Sequence, residues 1–192
     1  MIRKYSKAGF VVFYLLCLSL SSAQNFSATI NAAGGTAGIN YSLTFGFSPD
    51  ATDGYDPGVD QYAPPAPPPP VFDAALAWNG ERYYTQIVNG SADDLVEHVW
   101  DVLLQYGSDG SITLDWDNGG LSDLGTFILE DAFGGAMINV DMTQETSLTL
   151  DNPAFTTLLL KVTPAGPPEP PPFPDIFFSV TFSTDLNWNG EE

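Results

Sequence analysis

Four short stretches set hydroxyl and apolar side chains in alternation: SLTF (Ser42–Phe45), SITL (Ser111–Leu114), SLTL (Ser147–Leu150) and SVTF (Ser179–Phe182). A period of two sorts hydroxyls to one face of an extended chain and apolar groups to the other. Each copy is soon followed by an acidic residue or an Asn, Gly or Pro turn. Spacing and flanks differ between copies, so they are one physical solution reached repeatedly rather than sequence repeats.

Other segments read the same way. In FDAALAWNGERYYTQIV, Asn79-Gly80 separates two strand-like runs. That pair accepts the positive φ angles of a type I′ turn, so a hairpin is expected there. LVEHVWDVLLQYG has helical propensity, but His98, Trp100, Val102, Leu104 and Tyr106 share one face only if it is a strand. GTFILED, AMINVDM and FTTLLLKVT add three more strands. Many short strands between close turn signals predict an all-β fold, an antiparallel β-sandwich of immunoglobulin-like or jelly-roll-like kind.

The chain begins with a basic stretch (Arg3, Lys4, Lys7), an apolar run from Phe10 to Leu20, and small residues up to Ala23. That is the layout of a cleaved secretory signal peptide over residues 1–23. The apolar run is shorter than the ~20 residues of a membrane span. The expected organisation continues with the sandwich over 24–163 and a proline-rich linker or crossover over 164–174. A final strand over 175–184 and the stub of a calcium-binding loop over 185–192 follow. An earlier proline run, Ala63–Pro70, is expected to pass between sheets or along an edge, since it favours an extended form without ladder hydrogen bonds. The product is expected to be secreted or held at a cell surface, with no membrane insertion after cleavage.

Charge narrows the function classes. Beyond residue 23 the only bases are Arg82 and Lys161, against all 24 acids. Nucleic acid and anionic membranes are repelled by such a surface. Two environments suit it: high salt, which screens self-repulsion, or divalent cations. The only cysteine, Cys17, lies in the leader, so disulfides and thiolate chemistry are excluded. His98 is the only histidine, which leaves a nucleophile without a base. No nucleophile elbow, metalloprotease helix, phosphate loop or dinucleotide fingerprint is present, and no organic cofactor is expected. Paired carboxylates for glycoside hydrolysis remain an alternative, but the abundance of Asp marks no single pair.

Calcium is the ion the acids would hold. SPDATDGYDPGVD puts Asp50, Asp53, Asp56 and Asp60 on a backbone turned by Gly54, Pro57 and Gly58. Such hard oxygen ligands suit calcium's irregular geometry, although Asp, Gly and Pro also form plain turns. A second acidic turn holds Asp115, Asp117 and Asp123, but it fails the calcium-loop pattern at its fifth position, where Gly119 stands. The terminal DLNWNGEE sets Asp185, Asn187, Asn189 and Glu191 at the first, third, fifth and seventh positions of a calcium loop. Gly190 stands at the sixth, where such a loop turns sharply. The closing twelfth ligand is missing. Among the aromatics (Trp78, Tyr83, Tyr84, Trp100, Trp116 and Trp188), Trp78 and the Tyr83-Tyr84 pair flank the Asn-Gly turn. Those three are the candidates for contact with sugar rings; the competing reading is core packing.

LTFGFSPDATDGYDPGVDQYAPPAPPPPVFDA and LGTFILEDAFGGAMINVDM resemble segments of large exported, modular bacterial surface proteins. DLNWNGEE resembles the opening of a dockerin-type calcium repeat, without its acidic closing ligand and helix. The resemblance implies a piece of an exported modular protein. The expected function is a non-enzymatic module for adhesion, scaffolding or carbohydrate contact, with calcium as a structural ion and glycan or other surface proteins as partners. The alternatives are a small secreted polysaccharide hydrolase and a purely structural spacer.

Overall fold

The computed structural model describes residues 26–34, 38–91 and 95–166. They form eleven strands and one helical turn. The first layer contains β1 (Phe26–Gly34), β2 (Ile39–Ser48), β7 (Ile112–Trp116) and β10 (Ser147–Leu150). The second contains β4 (Asp73–Trp78), β6 (His98–Gln105), β8 (Gly125–Asp131), β9 (Asn139–Asp141) and β11 (Thr157–Pro164). Two strands, β3 (Gln61–Tyr62) and β5 (Glu81–Asn89), stand between the layers, and α1 (Leu121–Leu124) precedes β8. The continuous order is β10-β7-β1-β2-β5-β4-β6-β11-β8-β9, with β3 on the other edge of β5. An all-β, sandwich-like architecture is therefore present, with its strands wrapped into a nearly closed sheet.

β5 makes the corner. Its first residues pair with β4, Trp78 opposite Glu81 and Leu76 opposite Tyr83. Its last residues pair with β2, from Thr44 opposite Thr85 to Ser48 opposite Asn89. Against β3 the register slips: Gln61 faces Thr85 but Tyr62 faces Tyr83. One step on β3 thus spans two on β5, and a bulge of this kind bends a strand and re-aims its side chains. Strands that change sheets commonly do so at such bulges. Tyr83 consequently joins the core beside Leu76, whereas Gln86 and Val88 are buried beside Phe45 and Phe47.

One ladder departs from the expected antiparallel sandwich: β2 and β5 run parallel. Parallel neighbours need a long crossover. Residues 49–80 supply it, through the acidic loop, β3, the proline run and β4. The proline run carries the chain from β3, on one edge of β5, to β4, on the other. It is held by Ala63, whose N–H donates to the Arg82 carbonyl at 2.9 Å. The Gln105 amide also donates to the carbonyls of Pro67 and Val71, at 2.9 and 2.6 Å.

The Asn79-Gly80 turn has the expected geometry, with φ of 51° and 85°. β6 is a strand, its alternate residues His98, Trp100, Val102 and Leu104 buried. The three described copies of the hydroxyl motif all lie in the first layer. Their apolar residues (Leu43, Phe45, Ile112, Leu114, Leu150) enter the core. Their hydroxyls meet across strands on the outer face: Thr44 with Thr29 at 2.9 Å, Thr113 with Thr149 at 3.4 Å, and Ser42 donating to Asn31 at 3.0 Å. Such pairs each add roughly 0.2–1 kcal/mol.

Aromatic rings join the layers. Phe26 and Phe45 of the first lie 5.2 and 6.5 Å from Phe127 of the second, and Phe45 lies 5.6 Å from Trp100. At the far corner the Trp116 indole N–H is shared between the carbonyls of Met142 and Glu145, at 2.9 and 2.8 Å. That contact pins the short connection from β9 to β10. Pro164, the first residue of the expected linker, belongs instead to β11, opposite Gly125. The leader, the expected strand over 175–184 and the tail bearing Asp185, Asn187, Asn189 and Glu191 lie outside the described residues.

Candidate functional site

The acidic loop between β2 and β3 is organised by its own carboxylates. Asp56 accepts the Thr52 backbone N–H at 2.6 Å and the Thr52 hydroxyl at 3.1 Å. Asp60 is buried and accepts the N–H groups of Asp56 and Ile87, both at 2.8 Å. The fully buried Gln86 side chain donates to the Gly54 carbonyl at 3.1 Å and to Asp60 at 3.4 Å. The Asp53 carbonyl accepts the Trp78 indole at 3.1 Å and the Asn79 amide at 2.9 Å. The loop is thereby tied to β5 and to the β4–β5 turn. Asp50 and Asp53 are exposed.

The four expected calcium ligands therefore have two kinds of surroundings. Asp56 and Asp60 serve as acceptors inside the loop, and Asp50 and Asp53 face solvent. Among the described residues, no three His, Cys, Asp or Glu side chains form a group that could hold a metal ion. In the second acidic turn, Asp117 accepts the Gly119 N–H at 2.9 Å, while Asp115 and Asp123 are exposed on β7 and α1.

The three aromatic candidates pack against three different rings. Trp78 is half-buried against Trp100 at 5.3 Å. Tyr84 is half-buried and stacks on Tyr41 at 5.6 Å. Tyr83 is only 2% exposed, covered by Tyr62 at 4.9 Å. Trp100 and Trp116 are core residues. His98 lies flat on Phe47 at 5.4 Å, and its ring sits so close to Gly90 that an added Cβ there would be 2.8 Å away.

Two tyrosines outside the expected set form an exposed aromatic stack. Tyr55, on the acidic loop, stacks almost parallel on Tyr62, with centroids 4.4 Å apart and planes 6° apart. Tyr62 stacks in turn on Tyr83, giving a ladder of three rings from solvent to core. Tyr55 and Tyr62 remain 41% and 47% exposed. Beside them lies a shallow recess of about 380 Å³ lined by Tyr62, Ala63, Pro65, Gly80, Glu81 and Arg82. The Arg82 guanidinium is ion-paired with Asp73 of β4. Burial, the hydrogen bond to Tyr62 and the charges of Asp60 and Glu81 push the Tyr83 hydroxyl up to about 12.

A signal for Tyr55 and Tyr62 exists in the sequence. Both stand in turn-rich segments, GYDPG and QYAPP, that have no strand period to bury them. A larger groove of about 540 Å³, lined by Phe26, Phe47, Ala51, Asp56, Val59 and Ile87 among others, borders the same loop. Among the described residues no helix is long and apolar enough to cross a membrane. No known protein family, no curated protein and no solved structure matches this chain.

Proposed function

We propose that this chain is a non-enzymatic β-sandwich module of an exported, modular bacterial surface protein, and that it contacts carbohydrate. The observation that carries the reading is the solvent-facing Tyr55–Tyr62 stack, seated on buried Tyr83 and bordering the recess at Glu81 and Arg82. Ring faces and edges at a surface suit the apolar C–H faces of sugars. A platform fixed from below binds at lower entropic cost than a mobile side chain. The test is a glycan array probed with the wild-type chain and with Tyr55→Ala and Tyr62→Ala. Binding lost in both variants supports the module. Silence across all glycans sinks it in favour of a spacer, and turnover of a polysaccharide sinks the non-enzymatic assignment.

Calcium enters this reading as a structural ion of the acidic loop. What favours it is that Asp50 and Asp53 stay exposed while Asp56 and Asp60 fix the backbone of the loop at Thr52 and Asp56. An ion bound only by the folded chain must raise its stability. A calcium-dependent rise in melting temperature, reversed by chelator and absent in Asp53→Asn, supports it; an unchanged melting temperature removes calcium from the reading.

A further inference from the structure

We infer that the tyrosine ladder takes a sugar polymer bearing free ammonium groups, an inference that rests on the carbohydrate reading above. The described residues contain two basic side chains, and both are engaged. Arg82 pairs with Asp73, and Lys161 pairs with Glu130 at 2.7 Å. An anionic sugar, with its carboxylate or sulfate, meets no uncommitted cation at this site. It meets Glu81 in the recess, and Asp53 and Asp56 on either side of Tyr55 in sequence.

A cationic sugar meets the opposite situation. The ring faces of tyrosines attract ammonium groups, and more strongly where carboxylates add a second attraction. Tyr62 is covered on both faces, by Tyr55 and Tyr83, so the free ring face is that of Tyr55. Exposed Glu81 lines the recess at the Tyr62 edge, where a neighbouring sugar of the same oligosaccharide meets it. Excess acid over the rest of the surface adds steering toward polycations, which salt weakens. The stack supplies what bulk charge cannot, a fixed apolar surface matched to a pyranose face. Two exposed contacts of this kind correspond to about a tenfold preference at low ionic strength.

The experiment compares the intact chain's affinity for chitosan oligosaccharides, chitin oligosaccharides of equal length, alginate oligosaccharides and oligolysine of matched charge, by calorimetry. The expected result is chitosan about tenfold tighter than chitin, alginate unbound, and a preference that shrinks at high salt. Glu81→Gln should reduce the preference for chitosan and spare chitin. Tyr55→Ala, which removes only the outermost ring, should weaken both, and its melting curve checks that the fold is kept. Equal affinity for chitin and chitosan overturns the inference and leaves the carbohydrate reading standing. Chitosan binding that survives Tyr55→Ala and is matched by oligolysine also overturns it, as bulk charge attraction. If no saccharide binds, the carbohydrate reading itself falls.

Discussion

Tyr62 covers Tyr83: the rings stack at 4.9 Å, and the two residues face each other across the β3–β5 ladder. A two-residue strand thus roofs the corner at which β5 changes layers. Tyr55 extends the roof outward through its own stack on Tyr62.

Tyr62→Ala should remove both ring contacts and open the core at Tyr83. The expected loss is about 1–2 kcal/mol, from two aromatic pairs of ordinary strength. Urea unfolding followed by fluorescence measures it. Tyr55→Ala, at the outer end, should cost less than Tyr62→Ala; the reverse order would show that the ladder is not anchored from the core.

Alkaline pH should destabilise the fold through tyrosine. Burial first, and then the hydrogen bond to Tyr62, raise Tyr83 from its ordinary 10.0 to about 12. Burial raises Tyr41 and Tyr84 as well. Between those pH values the native state holds protons that the unfolded chain has lost, so stability falls as pH rises. Its contribution is whole below pH 10 and gone above 12. Unfolding curves across that window should flatten in Tyr83→Phe, which has no proton to lose there.

Acid should act through Asp131, which is fully buried at the end of β8. The N–H of Ile138 at 2.6 Å holds its carboxyl below the ordinary 3.8, helped by Met137 at 2.7 Å and Phe133 at 2.8 Å, against the effect of burial. A depressed folded pKa contributes stability above the unfolded value, and that stability is lost as pH falls through the folded one. Melting temperature should therefore drop below about pH 4 and do so less steeply in Asp131→Asn. The same carboxylate fixes the loop carrying Phe133 and Met137, which are 73% and 62% exposed. Hydrogen exchange in that loop should speed up in the variant.

Gly46 has a packing reason rather than a turn reason. A Cβ at this position of β2 would lie 2.0 Å from the Phe26 carbonyl oxygen on β1. Backbone cannot yield as a side chain does, so Gly46→Ala should destabilise by about 1–3 kcal/mol. A variant melting like the wild type would mean that β1 and β2 separate more easily than their register implies.

Much of the fold was legible because strand signals are local. The alternation in SLTL yields β10 residue for residue, and the same rule separated strand from helix at Trp100 in β6. Asn79-Gly80 set the β4–β5 hairpin because only certain residues accept positive φ without strain. The parallel pairing of β2 with β5 was not legible. It depends on where residues 49–80 return the chain, and no periodicity encodes that.

The aromatic site divides along the same line. Composition left few bases and many acids, and that determined the sign of the surface charge. It could not say which rings are open. Tyr83 looked accessible beside its turn, yet a bulge aims it at the core and Tyr62 closes over it. Asp60 stands in a run of acids, and the Ile87 N–H and Gln86 amide of β5 make it an anchor of the loop. The sequence by itself determined strands, turns and charge, since each follows from neighbouring residues. Only the tertiary structure decided which tyrosines and carboxylates face solvent, since their partners lie far away along the chain.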